Sequence, residues 1–204
     1  MILDMITDMF PYLVVAYVIG SIPFGLVLTR MAGLGDIRAI GSGNIGATNV
    51  LRTGNKFLAL LTLIGDTGKG AAAVCLMAHL DIASAPSAAL LIGFAAILGH
   101  CFPIWLQFKG GKGVATTLGT VLVAAPLTGL FAAAFWLITA GLFKISSLAA
   151  LVAMASAPIT AYVLYGEMPA LICGAIAALV FIRHKDNIKR LANGTEPKSG
   201  SKKK

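Results

Sequence analysis

Apolar runs fill most of this sequence, and several approach or exceed the roughly 18 residues that indicate a membrane-spanning helix. The mean hydropathy is +0.89, 58% of the residues are hydrophobic and 12% are charged, whereas soluble domains carry about 25% charged residues. The alternation of a membrane β-barrel is absent, and the scattered glycines suit closely packed helices. The sequence therefore predicts an all-α, polytopic membrane protein.

The number of crossings depends on residues 114–143. A single helix over these 30 residues would be about 45 Å long, well beyond a hydrocarbon core of about 30 Å, and Pro126 favours a turn near its middle. With a break there, basic and acidic loops alternate, so the positive-inside rule predicts an outside N-terminus and a cytoplasmic C-terminus. We expect about seven transmembrane helices, some of them short, within residues 12–30, 57–80, 87–107, 114–125, 127–143, 146–165 and 168–182.

The two ends of the chain differ in character. Asp4 and Asp8 replace the basic start of a signal peptide, so we expect the first helix to be retained. Residues 1–193 are interpreted as one integral-membrane domain and 194–204 as a disordered polar and basic tail. The net charge of +8 fits membrane orientation and anionic lipid better than nucleic acid. The three cysteines lack metal-ligand spacing, so no metal is expected.

The first of three polar stretches, residues 41–52, combines glycine-permitted turns with hydrogen-bond donors and a cation. Its GxGxxG spelling does not indicate a dinucleotide site, because no βαβ unit surrounds it. A guanidinium can hold a phosphate through a bidentate fork. The stretch is interpreted as an anion-binding loop; the alternative is a loop that only caps the next helix through Thr48, Asn49 or Thr53. The candidates are Ser42, Gly43, Asn44, Thr48, Asn49 and Arg52.

The second stretch places Lys112 among glycines, including Gly110 and Gly111, at the start of helix 114–125. It is not a Walker A loop, because neither Ser nor Thr follows the lysine. The amides and dipole at the start of a helix favour an anion, whereas a basic membrane anchor would need lysines but no glycine cluster. Nearby, His100 suits a structural role as well as a catalytic one.

The third stretch, residues 182–190, puts His184 and Asn187 one turn apart on one helix face, where both can donate to a phosphate or a hydroxyl. The Arg and Lys residues around them fit partly as ordinary positive-inside residues. Ser147, at the cytoplasmic end of another segment, adds a hydroxyl or caps its helix. Under the predicted topology all three stretches lie on the cytoplasmic face.

A further pair of charges lies inside the second apolar segment. Asp66 and Lys69 are spaced i,i+3, and each would cost about 2.5–3.5 kcal/mol near the centre of a lipid-exposed helix. We expect them to face the protein interior and each other. A functional role and a purely structural ion pair remain equally open.

The segments GSGNIGATNVLR, GHCFPIWLQFKGGKGVAT and IRHKDNIKRL resemble, in order and spacing, the three signature motifs of the bacterial PlsY family of membrane glycerol-3-phosphate acyltransferases. The resemblance implies a multi-pass enzyme of the bacterial inner membrane. It implies acyl transfer from acyl phosphate to the 1-hydroxyl of glycerol 3-phosphate, giving 1-acyl-glycerol 3-phosphate (lysophosphatidic acid) and phosphate, the first step of phospholipid biosynthesis. The implied partners are both substrates and membrane lipid, with no cofactor or nucleic acid, in a monomer.

The resemblance also implies residue roles. Catalytic roles fall on Ser42, Lys112 and His184, and substrate or phosphate binding falls on Ser42, Gly43, Asn44, Thr48, Asn49, Arg52, Gly110, Gly111, Lys112, Ser147, His184 and Asn187. The general base is either His184 or the donor's own phosphate. Ile45 stands where family members often have proline, which is expected to loosen the loop.

Two other functions remain alternatives at this point. A transporter of a small phosphorylated metabolite would place its charges near the midplane between inverted repeats, and no repeat is evident. An acyltransferase that uses a thioester donor is the nearest alternative among enzymes.

Overall fold

The computed structural model of the protein describes residues 2–82 and 85–199, with side chains from Thr7 onward. All regular secondary structure in these residues is helical. Ten α-helices follow one another: α1 Ile2–Gly20, α2 Phe24–Met31, α3 Ala47–Val50, α4 Lys56–His79, α5 Pro86–Cys101, α6 Val114–Ala124, α7 Pro126–Phe143, α8 Ser146–Tyr165, α9 Glu167–Arg183 and α10 Lys185–Ala192. Short 3₁₀ turns lie at Ile37–Ala39, Leu51–Thr53 and Ile104–Leu106.

The helices confirm an all-α polytopic membrane protein. Within the described residues, five helical stretches are long and apolar enough to cross a membrane: Thr7–Met31, Lys56–His79, Pro86–Leu106, Pro126–Phe143 and Ser146–Tyr165. Counted as one span, the pair α9 and α10, which is bent by 67°, makes a sixth. The seventh apolar segment is α6, which at 11 residues rises only about 16 Å.

The first apolar segment differs from the continuous helix expected over residues 12–30. It starts near the chain's beginning and breaks between Gly20 and Phe24, where Pro23 has no N–H to continue the helical ladder. A break at membrane depth frees backbone groups that need partners inside the protein. The Nζ of Lys69 supplies one by donating to the Ile22 carbonyl at 2.7 Å.

The turn expected at Pro126 is present. α6 ends at Ala124, Ala125 adopts an extended φ of −146°, and Pro126 occupies the first turn of α7, where its missing N–H costs nothing. α7 then runs back along α6, so the 11 residues of α6 lie against protein instead of crossing lipid alone. Packing of α6 against α4, α5 and α7 therefore accommodates a helix that is too short to span the hydrocarbon core alone.

Close contacts between helices hold the bundle together. α1 packs on α5, α4 on α6, α7 on α8, and α8 on α9. A Cβ on Gly93 would collide with Thr120, so α5 and α6 approach more closely than larger residues allow. The interior is correspondingly rich in small side chains, among them Ala16, Ala73, Ala96, Ala125, Ala157 and Ala161.

The C-terminal tail divides at the edge of the described residues. Residues 200–204 lie outside them, and the expected disorder stays a prediction there. Residues 194–199 lie against the helix ends: the amide of Ser199 donates to the Lys144 carbonyl at 2.6 Å, and Glu196 reaches the residues of the third polar stretch.

Candidate active site

One buried side chain organises the first loop. Asn49 is 1% exposed, and its Nδ2 donates to three carbonyls, of Ile37 at 3.0 Å, Ile40 at 2.9 Å and Asn44 at 2.8 Å. Its Oδ1 accepts from the backbone amide of Ser42 at 3.0 Å and from the Ser42 hydroxyl at 3.2 Å. Asn49, expected among the substrate-binding residues, has no hydrogen-bonding capacity left over and acts as the frame of the loop.

The neighbouring residue Ile45 changes how the loop is closed. Its amide donates to the Oδ1 of Asn44 at 3.0 Å, a bond for which proline has no N–H, and its side chain is 2% exposed in a cluster with Leu26, Ile37 and Val50. The loosening expected from the loss of proline is therefore offset by one hydrogen bond. Asn44 is left with its Nδ2 as the group free to meet a ligand.

Arg52 is the cation that this loop leaves unpaired. Arg30 and Arg38 both bind Asp36, at 3.0 Å and 2.6 Å, which neutralises much of their charge. Arg52 is exposed and makes no hydrogen bond or ion pair with any residue in the described part of the chain. Its stem lies against Gly41, where a Cβ would meet the guanidinium, so the charge is displayed beside the glycine turn, next to the exposed Ser42, Gly43 and Thr48.

The alternative role of the first stretch, capping the next helix, falls to a residue outside the stretch. α4 is capped by Asn55, whose Oδ1 accepts from the Leu58 amide at 3.0 Å, and not by Thr48, Asn49 or Thr53. The hydroxyl of Thr53 instead donates back to the Val50 carbonyl at 2.8 Å. The loop and the cap are thus separate pieces of sequence with separate tasks.

The glycine turn before α6 is held on both sides. The amides of Gly110 and Gly111 donate to the carbonyls of Cys101 and His100, at 3.1 Å and 3.0 Å, so these amides are not free for an anion as the sequence suggested. A Cβ on Gly111 would collide with the His100 ring. Gly113 then starts α6 with a φ of +85°, which glycine adopts without strain.

Lys112 leaves this turn and points into a cluster formed by the third stretch. Its Nζ donates to the Oδ1 of Asn187, which uses one of three ammonium protons and leaves two for a ligand. Burial lowers the pKa of Lys112 to about 8, because the charged form loses hydration. Lys112 is therefore a partly buried cation with open donors, and reduced hydration strengthens its attraction for an anion.

A carboxylate that the sequence analysis did not single out completes the cluster. Glu196 Oε1 accepts from the Ser147 hydroxyl at 2.6 Å and from Asn187 Nδ2 at 2.6 Å, while Oε2 accepts from Arg190 Nε at 2.7 Å. Burial raises the pKa of Glu196, but these three hydrogen bonds outweigh it and hold the pKa below its ordinary value. Glu196 thus stays ionised and fixes the groups around Lys112.

These contacts separate the roles of neighbouring residues. Ser147 is 6% exposed and its single hydroxyl proton goes to Glu196, whereas the hydroxyl of Ser146 beside it makes no hydrogen bond with the described residues. Asn187, 6% exposed, is committed through one proton and its oxygen. Ser147 and Asn187 therefore help to orient Lys112, Asn187 by direct contact and Ser147 through Glu196.

His184 lies at the bend between α9 and α10. It is 3% exposed, and its Nδ1 is 2.8 Å from the Val180 carbonyl. A proton on Nδ1 satisfies that carbonyl and leaves Nε2 as a hydrogen-bond acceptor; the tautomer is inferred from this contact. The ring is oriented by the helix that precedes it.

A buried charged cluster supports the glycine turn from within the bundle. Lys69 Nζ is 3.0 Å from Asp66 Oδ1, with side chains 2% and 3% exposed, so the two residues face the interior and each other. His100 Nδ1 is 3.5 Å from the same carboxylate oxygen, and its ring abuts Gly111. The pair therefore joins the break between α1 and α2 to the turn that carries Lys112.

The polar stretches meet at one end of the bundle. Lys112, Ser147, His184 and Asn187 surround one cluster at the ends of α6, α8 and α9. The segment before Lys112 also reaches the first loop, because Leu106 packs on the apolar cluster beneath it. The same segment contacts the break after α1, where Trp105 Nε1 donates to the Ser21 hydroxyl at 2.7 Å. The second stretch thus lies between the other two.

Comparison with known proteins identifies the family. The sequence pattern of the glycerol-3-phosphate acyltransferase family matches residues 10–194. The chain belongs to this family. Among curated glycerol-3-phosphate acyltransferases, that of Jannaschia sp. is 58% identical over 185 residues, covering 91% of this chain and 90% of the relative. That of Paramagnetospirillum magneticum is 59% identical over 189 residues, covering 92% of each.

Solved structures of a glycerol-3-phosphate acyltransferase have the same fold. The integral membrane enzyme PlsY in its glycerol 3-phosphate form is 36% identical, with a TM-score of 0.86 over 95% of this chain and 96% of that one. Its lysophosphatidic acid form is 35% identical, with a TM-score of 0.83 over 94% and 95%. The family resemblance of the three polar stretches is therefore confirmed.

Proposed function

We propose that this acyltransferase moves an acyl group from acyl phosphate to the 1-hydroxyl of glycerol 3-phosphate, giving lysophosphatidic acid and phosphate. The acceptor and product are those with which the similar PlsY structures were solved. The observation that supports a phosphorylated donor is the presence of two separate cationic places, Arg52 beside the first loop and Lys112 in the buried cluster. With a thioester donor, the phosphate of glycerol 3-phosphate would be the one phosphate near the reacting atoms, because the thioester group itself carries none.

Each cation suits the binding of one phosphate. Arg52 offers an unpaired fork, and Ser42 and Thr48 are exposed residues of the same loop. Lys112 offers two free protons, and Asn187, itself held by Glu196 together with Ser147, fixes its direction. Two phosphates held apart in this way bring the acceptor hydroxyl to the acyl carbon, and such positioning supplies much of a rate enhancement.

The chemical step needs a place for one proton. The acceptor oxygen forms an ester bond to the acyl carbon, the bond between that carbon and the phosphate oxygen breaks, and the hydroxyl proton leaves on the departing phosphate. His184 is the other candidate base, but its Nδ1 is engaged with Val180 and the ring is almost fully buried. We favour proton uptake by the phosphate, with His184 Nε2 accepting a hydrogen bond from a substrate hydroxyl.

We place the enzyme in the bacterial inner membrane with its N-terminus outside, its C-terminus cytoplasmic and its site on the cytoplasmic face. The support is the alternation of basic and acidic loops and the clustering of the polar stretches at one end of the bundle. We also propose that it works as a monomer on substrates that arrive from the cytoplasm and the lipid.

One assay with two donors tests the proposal. Purified protein is given labelled glycerol 3-phosphate with palmitoyl phosphate or with palmitoyl-CoA, and both lysophosphatidic acid and released phosphate are followed. Product and phosphate in equal amounts from palmitoyl phosphate are expected. Product from palmitoyl-CoA alone would overturn the donor assignment, and product from neither would overturn the acyl transfer itself.

A further inference from the structure

Arg183 differs from the two lysines of the third stretch. It is partly buried at the end of α9, whereas Lys185 and Lys189 are exposed. Its Nε donates to the Gly111 carbonyl at 3.0 Å and its Nη2 to the Gly110 carbonyl at 2.9 Å. The guanidinium also lies over the Phe102 ring, 5.2 Å from its centroid. A residue that only orients the protein in the membrane needs none of these contacts.

The two carbonyls that Arg183 binds belong to the turn that carries Lys112. The amides of the same two glycines are already bound by the carbonyls at the end of α5, those of His100 and Cys101. The peptide groups of the turn are thus held from one side by α5 and from the other by α9. Without Arg183, two carbonyls lose a charged partner, and a part-buried carbonyl left unpaired is costly.

The fork of Arg183 matters for this contact as much as its charge. Its two donors are set at a fixed spacing that matches two successive carbonyls, and a planar guanidinium can stack on an aromatic ring at the same time. A lysine would bring one flexible ammonium to the same place. The contact therefore fixes the direction of the turn, and with it the direction in which Lys112 leaves.

We infer that Arg183 is a positioning residue for Lys112: it does not touch substrate, and it sets the lysine through the carbonyls of Gly110 and Gly111. This rests on the proposal that Lys112 binds a substrate phosphate. Loss of Arg183 should therefore weaken binding of the substrate that Lys112 holds and leave binding of the substrate at Arg52 unaffected.

The test compares substrate-specific kinetics in five variants. Arg183→Gln removes the fork, Arg183→Lys keeps the charge, and Lys185→Gln removes a neighbouring exposed charge as the matched control. Lys112→Arg marks the substrate that Lys112 holds, and Lys112→Met removes the charge of the lysine. KM for each substrate is measured with the other saturating. Each contact at stake is a hydrogen bond from a charged group, so Arg183→Gln is expected to reduce kcat/KM about tenfold or more.

The expected pattern has three parts. Arg183→Gln raises KM most for the same substrate as Lys112→Arg, Arg183→Lys has an intermediate effect, and Lys185→Gln changes kcat/KM by less than about twofold. If Arg183→Gln fails to fold, judged by thermal unfolding in detergent, Arg183→Lys carries the comparison.

Three results would overturn the inference. They are an equal loss in Lys185→Gln, a change confined to kcat, or a rise in KM for the substrate that Lys112→Arg leaves unaffected. Wild-type kinetics in Lys112→Arg together with a loss in Lys112→Met leave the lysine assignment intact, whereas wild-type kinetics in both would show that the proposed site is wrong whatever Arg183 does.

Discussion

The first loop and the Lys112 cluster both present a cation, but they are built in opposite ways. The loop is framed by one buried amide, Asn49, which donates to three backbone carbonyls and accepts from Ser42. Arg52 is left exposed and unpaired. The cluster is a network of side chains in which Lys112, Asn187, Ser147 and Glu196 bind one another. The position of Arg52 therefore depends on the backbone conformation of the loop, whereas the position of Lys112 depends on hydrogen bonds and charges of the neighbouring side chains.

The largest expected effect comes from removing the charge of the cluster. Lys112→Met is expected to lower kcat/KM by about 10²–10³-fold, the usual cost of losing a donor to a developing or bound anion. Lys109→Met is the matched control, because Lys109 is an exposed lysine three residues away. Equal losses in both variants would mean that general basicity of the segment, and not the Lys112 cluster, supports activity.

A smaller effect is expected from removing the frame of the loop. Asn49→Ala leaves the carbonyls of Ile37, Ile40 and Asn44 without their common donor and should destabilise the protein by about 2–4 kcal/mol, with lower activity because Arg52 loses its support. Thermal unfolding and kinetics are measured together. Asn55→Ala, which removes only a helix cap worth about 1 kcal/mol, is the control. If Asn49→Ala loses no more stability than Asn55→Ala, the role of Asn49 as the frame of the loop is contradicted.

Changing the exposed cation without losing its charge should have a smaller effect still. Arg52→Lys keeps a positive charge beside the glycine turn but loses the bidentate fork, so KM for one phosphorylated substrate should rise about tenfold. Lys56→Gln removes an exposed charge nearby and should be nearly neutral. Unchanged kinetics in Arg52→Lys would mean that the fork is not used.

The smallest effect is a pH dependence specific to the cluster. Lys112 must be protonated to bind an anion, and with its pKa lowered to about 8 the charge is present below that pH and lost above it. Between pH 7 and 8.5, kcat/KM should fall about fourfold. Lys112→Arg, whose guanidinium stays charged, should lose this alkaline decline; its persistence in that variant would assign it to another group.

Much of the fold could be predicted from the sequence because membrane helices are encoded locally. From the second apolar run onward, the runs place the start of each helix within one residue, whereas the first helix begins ten residues earlier than expected. One helix ends just before Pro126, which starts the next. The break before Phe24 was missed although Pro23 is visible, because a proline in a long apolar run is compatible with a kinked helix. What stabilises the break is Lys69, 47 residues away along the chain.

The residue types of the candidate site could be predicted from the sequence, but the role of each residue could not. Asn49 looked like a ligand-binding amide and is fully occupied by backbone, and Arg183 looked like one more positive-inside residue. Glu196, the partner of Ser147 over 49 residues of sequence, carried no local signal beyond being a carboxylate in a basic tail. Such roles depend on which helix ends meet, and that follows from packing of the whole bundle.

The most direct test of the divided site is a pair of KM values. KM for glycerol 3-phosphate and for palmitoyl phosphate is measured, each with the other saturating, in Arg52→Lys and in Lys112→Arg. If the two cations hold different phosphates, each variant raises KM chiefly for one substrate, and the two variants differ in which substrate that is. The same substrate affected in both, or neither affected in either, would contradict a site divided between the two cations.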